Sequence, residues 1–305
     1  MMPGFFSPAR NTIFNEKTFR FASFCTPDQT PVFDQDEEAL LDLRSTYGPF
    51  TCRLPSCRID QKLYLTSLKN EAGVAVSYLD AAKNDPPEFI RLYFDWLEQE
   101  KKVSVHDTVH IGIFSHAANG GIKIDPDGFT GVKGLYACGE VTGGMHGADR
   151  IGGLSTANGL VFGQRAGRAA ANAASTCTGS HTPDVYDFSE WSIPDRSVLR
   201  KELQDLMYRN VMIIRNEPGL STTLMMLHEL LHSSPRIPDT DVSAITDSRI
   251  LEGQFLTAIC VLKAALLRKE SRGSHYREDY PNIDPNMAYP IQLSLQDQVI
   301  NVLLP

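Results

Sequence analysis

The sequence predicts a protein of mixed α/β and α+β class that ends in a bundle of helices. Three observations support this prediction. Short apolar runs alternate with helical periodicity in the first hundred residues, residues 134–163 hold nine of the 22 glycines, and three helical patterns follow one another from about residue 195. With 305 residues, of which 42% are hydrophobic, the chain is long enough to bury a sizeable core.

The first part, residues 1–107, mixes short strand-like runs with helices. The runs "EEALLDLRS" and "PPEFIRLYFDWLEQEKK" show helical periodicity, and the second opens with proline, which a helix accepts in its first turn. This part is therefore expected to form an α+β layer. The apolar face expected for the second helix consists of Phe89, Leu92, Tyr93, Trp96 and Leu97.

The second part, residues 108–176, changes to sheet-like runs, a glycine-rich loop and a helix. Turn signals such as "DPDG" separate the runs "VHIGIF", "GIKID" and "GLYAC", which predicts three strands. After the loop "GEVTGGMHGADRIGG", Ser155 offers a hydroxyl to cap a helix through "TANGLVFGQRAGRAAANAA". Gly159, Gly163 and Gly167 are spaced by four on that helix, which is typical of close helix packing.

The third part, residues 177–305, is predicted to be helical after a polar linker around "STCTGSHTPDVYD". In the segments "VLRKELQDLMYRNVMII", "TTLMMLHELL" and "ILEGQFLTAICVLKAALLRKE", apolar positions recur every three and four residues. Three such segments in succession indicate a small helical bundle.

Composition excludes several classes of function. The formal net charge is −8 and the pI is near 5.5, so the chain lacks the basic surface that neutralises nucleic-acid phosphates. The longest apolar stretch, Phe255 to Leu267, is interrupted by Lys263 and is too short to span a bilayer. The start "MMPGFFSPAR" has no basic segment followed by an apolar one, so we expect a cytoplasmic protein without a transmembrane segment.

The six cysteines are spread through the chain, which favours reduced thiols over a disulfide framework. Cys52 and Cys57 are the only close pair, with four residues between them. No second pair or histidine cluster completes a zinc site, so no metal is expected. A metal or redox role for this pair is the alternative.

The glycine loop indicates a ligand. A helix N-terminus exposes unpaired N–H groups and a partial positive charge, so a glycine-rich approach to it favours an anionic or strongly polar guest. A cofactor is the natural candidate.

The segment "GLYACGEVTGGMHGADRIGGLSTANGLVFGQRAG" resembles the second flavin-contacting segment of the fumarate reductase, succinate dehydrogenase and L-aspartate oxidase flavoproteins. Two further segments agree in order. "SHAANGGIKID" is similar to the family's H-Y-x-x-G-G-I segment, and "LRKESRGSHYREDYP" is similar to its ESRGxHxRxDxP segment. Together they extend over most of residues 109–281.

This resemblance implies FAD as cofactor and hydride exchange between its N5 and a carbon next to a carboxylate. The substrate would be a small carboxylate such as fumarate, succinate or L-aspartate. Residues 1–107 would be part of the capping domain, residues 108–176 the second half of the FAD-binding domain, and residues 177–305 the C-terminal helical domain. An electron-transfer subunit is an expected partner.

The resemblance also implies roles for individual residues. Arg150 and His116 occupy the substrate-binding positions, and a guanidinium forms a two-pronged bond to carboxylate while a histidine donates to a second oxygen. Glu140 would accept hydrogen bonds from the ribityl hydroxyls of FAD, and the backbone around Ser155 would face the isoalloxazine ring. The full set of expected cofactor-binding residues is Gly139, Glu140, Gly153, Ser155 and Thr156.

Family members use an arginine of the capping domain as proton donor. Because its pKa exceeds about 12, an arginine needs a relay to act as an acid. The candidates are Arg53 and Arg58 in "GPFTCRLPSCRID". A structural role for both arginines is the alternative.

The sequence departs from the family pattern at three places. Asp149 replaces an asparagine, "LSTA" replaces N-S-L-L, and Ala117, Ala118 and Asn119 replace an aromatic-Thr-Met run after the site histidine. A carboxylate beside Arg150 offsets positive charge in the anion clamp, which weakens the expectation of succinate or fumarate itself.

The chain contains no strand, G-x-G-x-x-G and helix in succession, which is the fingerprint that holds the pyrophosphate of a dinucleotide. Met1 is therefore expected to lie inside a longer ancestral chain. In one interpretation a separate or missing FAD-binding part completes an oxidoreductase. In another, the chain is a non-catalytic, truncated or split module that binds another subunit. Intact L-aspartate oxidase is a third interpretation.

Overall fold

The computed structural model describes residues 2–176, 191–296 and 299–303. The chain divides into two compact units. Unit 1 consists of Met1–Gly121, Glu140–Gly159 and Arg272–Tyr276, and unit 2 of Ile122–Gly139, Leu160–Ser271 and Arg277–Pro305. The expected mixed α/β and α+β class with a C-terminal helical bundle is confirmed. The domain boundaries after residues 107 and 176 stay a prediction.

Unit 1 is built on a five-stranded antiparallel sheet with strand order β2-β1-β5-β4-β3. The central strand β5 contains "VHIGIF", and its residues alternate between buried and more exposed at its start, as a half-covered strand requires. The strands are β1 Met2–Ser7, β2 Thr12–Phe14, β3 Ala22–Cys25, β4 Val74–Tyr78 and β5 Val109–Ala117.

In the described part of unit 1, five α-helices and a 3-10 helix, Glu16–Phe21, accompany this sheet. A cluster of aromatic rings forms the core, with centroid distances from 4.6 to 6.5 Å among Phe5, Phe14, Phe19, Phe24, Phe33, Tyr78 and Phe94. The helices are α1 Gln35–Glu38, α2 Leu40–Thr46, α3 Cys57–Lys69, α4 Asp80–Asn84 and α5 Glu88–Lys101. The α+β layer expected for the first hundred residues is confirmed.

The apolar face predicted for α5 is wrong. Its buried residues are Ile90, Phe94 and Leu97, whereas Phe89 and Leu92 are 53% and 63% exposed. Both sets have spacings of three and four residues, so periodicity alone did not separate them. The contact between the Phe94 and Tyr78 rings, with centroids 4.6 Å apart, decides which face turns to the core. The exposed set is Phe89, Leu92 and Trp96, so Leu97 is the one residue of the predicted face that is buried.

Two of the three strands predicted in the second part are also wrong. The runs "GIKID" and "GLYAC" form no strand, and only a single bridge joins Phe129 to Tyr136. The Asp125 carboxylate accepts hydrogen bonds from the N–H groups of Asp127 and Phe129, both at 2.9 Å. These backbone groups are therefore committed to a turn, because an aspartate side chain competes with ladder formation.

The described helices of the second half match the predicted pattern. Helix α6 belongs to unit 1 as far as Gly159 and to unit 2 from Leu160, and α7, α8 and α9 pack on one another as a bundle. The polar linker around "STCTGSHTPDVYD" lies, from residue 177, outside the described residues. The helices are α6 Leu154–Ser175, α7 Arg196–Val211, α8 Glu217–Ser233 and α9 Val242–Leu267. The strands are β6 Trp191–Ser192, β7 Ile214–Arg215, β8 Ile237–Pro238, β9 Tyr276–Arg277, β10 Gln292–Gln296 and β11 Val299–Leu303.

Helix α9 is the central helix of the bundle. By length and composition alone it meets the requirements of a membrane-crossing helix, more fully than the thirteen-residue apolar run suggested. Its side chains Leu251, Phe255 and Leu262 are nonetheless buried among the other helices. A core helix has the same composition, so this helix is weak support for a membrane span.

Arg277, from the segment "ESRGSHYRED", binds the C-terminal turn of α9. Its guanidinium is fully buried and donates to the carbonyl oxygen of Ala265 at 2.7 Å. The same side chain binds Asp279 at 2.7 Å, and this hydrogen bond lowers the pKa of Asp279 to about 2. Arg277 therefore satisfies a carbonyl at the last turn of the helix, where no backbone N–H is available.

A buried ion pair joins α2 to α3 in unit 1. Arg44 donates from Nε and Nη2 to the two oxygens of Asp60, at 2.7 and 3.0 Å, and both side chains are nearly inaccessible. Arg44 Nη1 also donates to the carbonyl oxygens of Tyr47 and Gly48, at 2.7 and 2.9 Å. Every charged atom therefore has a partner, which a buried ion pair requires.

Replacing Asp60 with asparagine is expected to lower the free energy of unfolding by about 3–5 kcal/mol, because it leaves a buried guanidinium without its counter-charge. Chemical denaturation of the full chain measures this change. The matched control is Asp42→Asn, since Asp42 pairs with Arg20 at 3.4 Å on the surface, and a cost below about 1 kcal/mol is expected there. Equal costs for the two variants would contradict the structural role of the buried pair.

Candidate functional site

The glycine loop of unit 1, residues 140–153, leads directly into α6. Gly153 has φ +82° at the residue before the helix, a conformation that other residues rarely adopt. Gly143 has another role, because a Cβ there would come within 2.8 Å of the Gly121 nitrogen. The loop is therefore glycine-rich partly because it passes close to backbone of its own unit. A Cβ on Gly152 would meet nothing within 4 Å, which leaves that position open.

The loop, the helix start and the end of β5 line one small cavity in unit 1. Three residues predicted from the sequence, Glu140, Arg150 and Ser155, are brought together there. The lining residues are Ala118, Glu140, Thr142, Met145, His146, Arg150 and Ser155. Gly139 belongs to unit 2, and the exposed Thr156 follows Ser155 on the helix.

His116 lies near the end of β5 and is exposed. Two residues later, the Ala118 N–H donates to Glu140 Oε1 at 3.1 Å. Glu140 therefore fixes the backbone that follows the predicted substrate-binding histidine.

Ser155 does not cap α6 as predicted. The helix already includes Leu154, and the Ser155 hydroxyl lies 3.2 Å from His146 Nε2. A hydroxyl engaged with an imidazole is not directed at the N–H groups of its own helix. The cap prediction failed because it used the order of residues along the chain and not the fold of the loop.

His146 is a titratable lining residue to which the sequence analysis assigned no role. Burial lowers the pKa of its imidazole, and the nearby Arg150 guanidinium lowers it further while Glu140 opposes this effect. His146 is therefore a neutral hydrogen-bonding group at neutral pH. Its position four residues before Arg150 in the glycine loop is the signal that sequence reasoning left unused.

Side chains from residues 47–53 bond to Asp149 and to the backbone of Arg150. Asp149 Oδ2 accepts from Thr51 Oγ1 at 3.1 Å and pairs with Arg53 Nη2 at 3.3 Å. Tyr47 donates its hydroxyl to the carbonyl oxygen of Arg150 at 3.0 Å. Burial raises the pKa of Tyr47, and the Asp149 charge adds to this effect, so the hydroxyl stays a donor.

The structure separates the two candidate proton-donor arginines. Arg53 meets Asp149 beside Arg150, whereas Arg58 lies exposed in the first turn of α3. Only Arg53 is thus joined to the segment that carries Arg150 by an interaction in the described residues.

Asn119 and residues 272–275 hold the same segment from another direction. Asn119 Nδ2 donates to the Ala148 carbonyl at 3.3 Å and to Ser274 Oγ at 2.7 Å. The Ser274 N–H also donates to the Ala148 carbonyl, at 2.9 Å. The sequence marked Asn119 only as a departure from a pattern and gave it no partner.

Three polar atoms of this site are buried without a hydrogen-bond partner in the described residues, namely His146 Nδ1, Asn119 Oδ1 and Asp149 Oδ1. Buried polar atoms are normally paired, so such atoms at one site suggest a guest with polar groups. The unpaired imidazole nitrogen and the open space beside Gly152 are features that a polar ligand could use.

The cysteine pair does not form a site of its own. Among the described residues Cys52 and Cys57 form no disulfide, and burial raises the pKa of Cys57 to about 11. A thiol with such a pKa stays protonated at neutral pH and is a poor nucleophile or metal ligand. Across the described residues, no three His, Cys, Asp or Glu side chains are arranged to hold a metal ion.

Parts of the chain match known protein families. Residues 67–156 match the family profile described as "FAD binding domain", and residues 200–298 match that of the "Fumarate reductase flavoprotein C-term". Over these residues the chain is similar to the flavoproteins of fumarate reductase, succinate dehydrogenase and L-aspartate oxidase. Those relatives are FAD-dependent oxidoreductases, and FAD is the cofactor to which the matched segment corresponds.

Two curated relatives of this flavoprotein chain illustrate the match. A subunit of the fumarate reductase (CoM/CoB) of Methanothermobacter marburgensis is 36% identical over 195 residues, which are 59% of this chain and 35% of the relative. The L-aspartate oxidase of Mycobacterium leprae is 37% identical over 186 residues, or 60% and 32% of the two chains. The chain thus covers about a third of the length of the curated relatives it matches.

Solved structures share the fold over nearly the whole chain. The Sdh1 complex of Mycobacterium smegmatis in the apo form has a TM-score of 0.73 at 26% identity, covering 99% of this chain and 52% of that one. A quinol-fumarate reductase with menaquinol molecules has a TM-score of 0.72 at 21% identity, over 99% and 58% of the two chains, and shows the fold alone.

Replacing Arg150 with glutamine is expected to raise the pKa of His146 toward its ordinary value, because it removes a positive charge near the imidazole. Titration of the His146 ring signals by NMR measures the change in the full chain. Arg20→Gln is the control, since Arg20 pairs with Asp42. An unchanged His146 pKa in the Arg150 variant would show that the two side chains do not share one site.

Proposed function

We propose that this chain provides the substrate side of an FAD-dependent oxidoreductase that acts on a small carboxylate. One observation carries the proposal. Arg150 lines the same cavity as Glu140 and the first turn of α6, and its backbone is held by a hydrogen bond from Tyr47. An always-charged guanidinium fixed beside a glycine-lined helix start is suited to bind a carboxylate next to a polar cofactor.

Arg150 and His116 are the proposed substrate-binding residues. Arg150 would bind one carboxylate by two parallel hydrogen bonds. His116, on the exposed end of β5, would donate to a second oxygen of the substrate. Candidate substrates are dicarboxylates of the fumarate and succinate type and amino acids such as L-aspartate.

Arg53 is the proposed proton donor, in preference to Arg58. It is paired with Asp149, and a carboxylate in contact with the guanidinium is the kind of relay that an arginine needs to act as an acid. Asp149 would then hold Arg53 toward the site while Thr51 occupies the same carboxylate oxygen.

Glu140, Ser155, Thr156 and the glycines Gly139 and Gly153 are the proposed cofactor-binding residues. When bound at these residues, FAD would supply hydride-transfer chemistry next to a carboxylate of the substrate. Glu140 would accept hydrogen bonds from hydroxyl groups of the cofactor, and the first turn of α6 would offer its unpaired N–H groups. His146, neutral and bonded to Ser155, keeps positive charge in the cavity confined to Arg150.

A second segment of polypeptide is the proposed partner, carrying the strand, G-x-G-x-x-G and helix that hold a dinucleotide pyrophosphate. The relatives are about three times as long as the matched region, which is the first support.

The second support is the surface of unit 2, where Leu160 on α6 is 72% exposed. A Cβ on Gly167 of the same helix would meet nothing within 4 Å. Gly167 therefore has no packing partner among the described residues, and an added strand–helix unit would supply one.

A non-catalytic module that binds another subunit is the second candidate. The observation favouring it is the Asp149–Arg53 pair, which neutralises one cation beside the proposed carboxylate site. Such a module would bind the dinucleotide-binding polypeptide and give no oxidation or reduction of a carboxylate.

The full chain alone is expected to retain FAD weakly, because it lacks the glycine fingerprint that cradles the pyrophosphate. Co-expression with a dinucleotide-binding segment from a relative is expected to give a complex with one FAD after dialysis, measured by its absorption spectrum. Carboxylate-dependent oxidation or reduction of that complex supports an oxidoreductase. A stable complex with bound FAD but without this activity supports the non-catalytic module, and full FAD retention by the chain alone contradicts the proposed partner.

In the active complex, Arg150→Lys is expected to lower kcat/KM by about ten- to a hundredfold, because lysine keeps the charge but loses the planar two-pronged bond. Thermal denaturation is expected to show little change. Arg20→Lys, on the surface of the same unit, is the matched control. Full activity of the Arg150 variant with saturating flavin would assign Arg150 to a structural ion pair and place the site elsewhere.

A further inference from the structure

We propose that Asn119 and Ser274 are positioning residues that set the spacing between His116 and Arg150. The inference rests on the proposed function for its meaning, since it concerns the two residues that would bind substrate. Its structural content is independent of that function. One side-chain hydrogen-bond network determines the positions of His116 and Arg150.

The first half of the network begins at the end of β5. Asn119 lies three residues after His116, and its Nδ2 donates to the Ala148 carbonyl and to Ser274 Oγ, at 3.3 and 2.7 Å. Ala148 is two residues before Arg150. One side-chain amide therefore joins the strand end that carries His116 to the loop that carries Arg150.

The second half comes from residues 272–275, more than a hundred residues further along the chain. The Ser274 N–H and hydroxyl both donate to the Ala148 carbonyl, at 2.9 and 3.2 Å. The Cys52 N–H donates to the Gly273 carbonyl at 2.8 Å, which connects the turn to residues 47–53. Residues 272–275 therefore bind Ala148, and residue 52 in turn binds residues 272–275.

Gly273 shows how tight this contact is. Its φ is +57°, and a Cβ there would lie 2.1 Å from the Ala148 oxygen. No side chain fits at that distance, so the turn approaches the loop as closely as a backbone allows. The segment "SRGSH" acts on the site by this approach, without lining the cavity.

Two residues that depart from the family pattern lie in or beside this network. Asn119 stands where the family pattern has an apolar residue, and Asp149 stands where it has asparagine. Asn119 bonds to residue 148, and Asp149 is the next residue along the chain. Asn119 binds the Ala148 carbonyl, and the Asp149 carboxylate binds Thr51 and Arg53. Each residue thereby ties the Arg150 loop to a different neighbouring segment.

The test is NMR of the full chain, labelled in arginine and histidine, with no ligand added. Asn119→Ala is expected to shift both the Arg150 Nε–Hε signal and the His116 ring signal. Exchange of the Ser274 amide hydrogen is expected to be about two- to tenfold faster, the effect of one lost neutral hydrogen bond. Ser274→Ala is expected to shift the Arg150 signal as well, since it removes contacts to Ala148 and Asn119.

Asn70→Ala is the matched control, because Asn70 Nδ2 also donates to a backbone carbonyl, that of Thr66, at 2.9 Å in α3. It is expected to leave the Arg150 and His116 signals in place. Unchanged signals in a folded Asn119→Ala protein, or equal shifts in the control, overturn the proposal. If Asn119→Ala does not fold, Ser274→Ala decides, and an unchanged Arg150 signal overturns it. Absence of catalytic activity in any complex would refute the proposed function and leave these shifts unaffected.

Discussion

The buried Arg44–Asp60 pair is the interaction on which the proposed site depends. With both side chains out of water, the pair is tolerable only because Arg44 also binds the carbonyls of Tyr47 and Gly48. Those hydrogen bonds fix the backbone from which the Tyr47 hydroxyl reaches the Arg150 carbonyl. A charge deep in the core thereby helps to position the backbone of Arg150, the proposed substrate-binding residue. This gives a physical reason for keeping an ion pair where apolar side chains of similar size would pack at lower cost.

The glycines of the loop serve two purposes, which cannot be told apart in the sequence. Some satisfy backbone constraints inside the protein, and others leave space beside the loop. Gly143 is required by the approach of Gly121, and Gly153 by the turn into α6, and both needs are internal to the protein. Gly152 has neither constraint and opens onto free space. Space for a ligand therefore accounts for only some of the glycines in this loop. The polar atoms left unpaired around the loop, above all His146 Nδ1, are the stronger indication that a guest belongs there.

Residues far apart in sequence stabilise the Arg150 loop by hydrogen bonds that are individually modest. Each is worth about 0.5–1.5 kcal/mol, so no single one determines the fold. Together they connect Tyr47, Asn119 and Ser274 to residues 148–150. A carboxylate clamp needs this arrangement, because a guanidinium binds two oxygens well only when its own backbone does not move.

The sequence by itself determined the class of the fold, the helices of the C-terminal bundle, the loop that carries Arg150 and the family, because periodicity, glycine content and motif are local along the chain. The sequence did not determine which face of α5 is buried, because two sets of apolar residues have helical spacing. The contact of Phe94 with Tyr78 distinguishes them. The sequence also misplaced two strands and the role of Ser155. The pairing of Arg53 with Asp149, and the part of Asn119, were decided by the tertiary structure alone. These interactions join residues about 30 to 155 positions apart, and only folding brings such residues within hydrogen-bond distance.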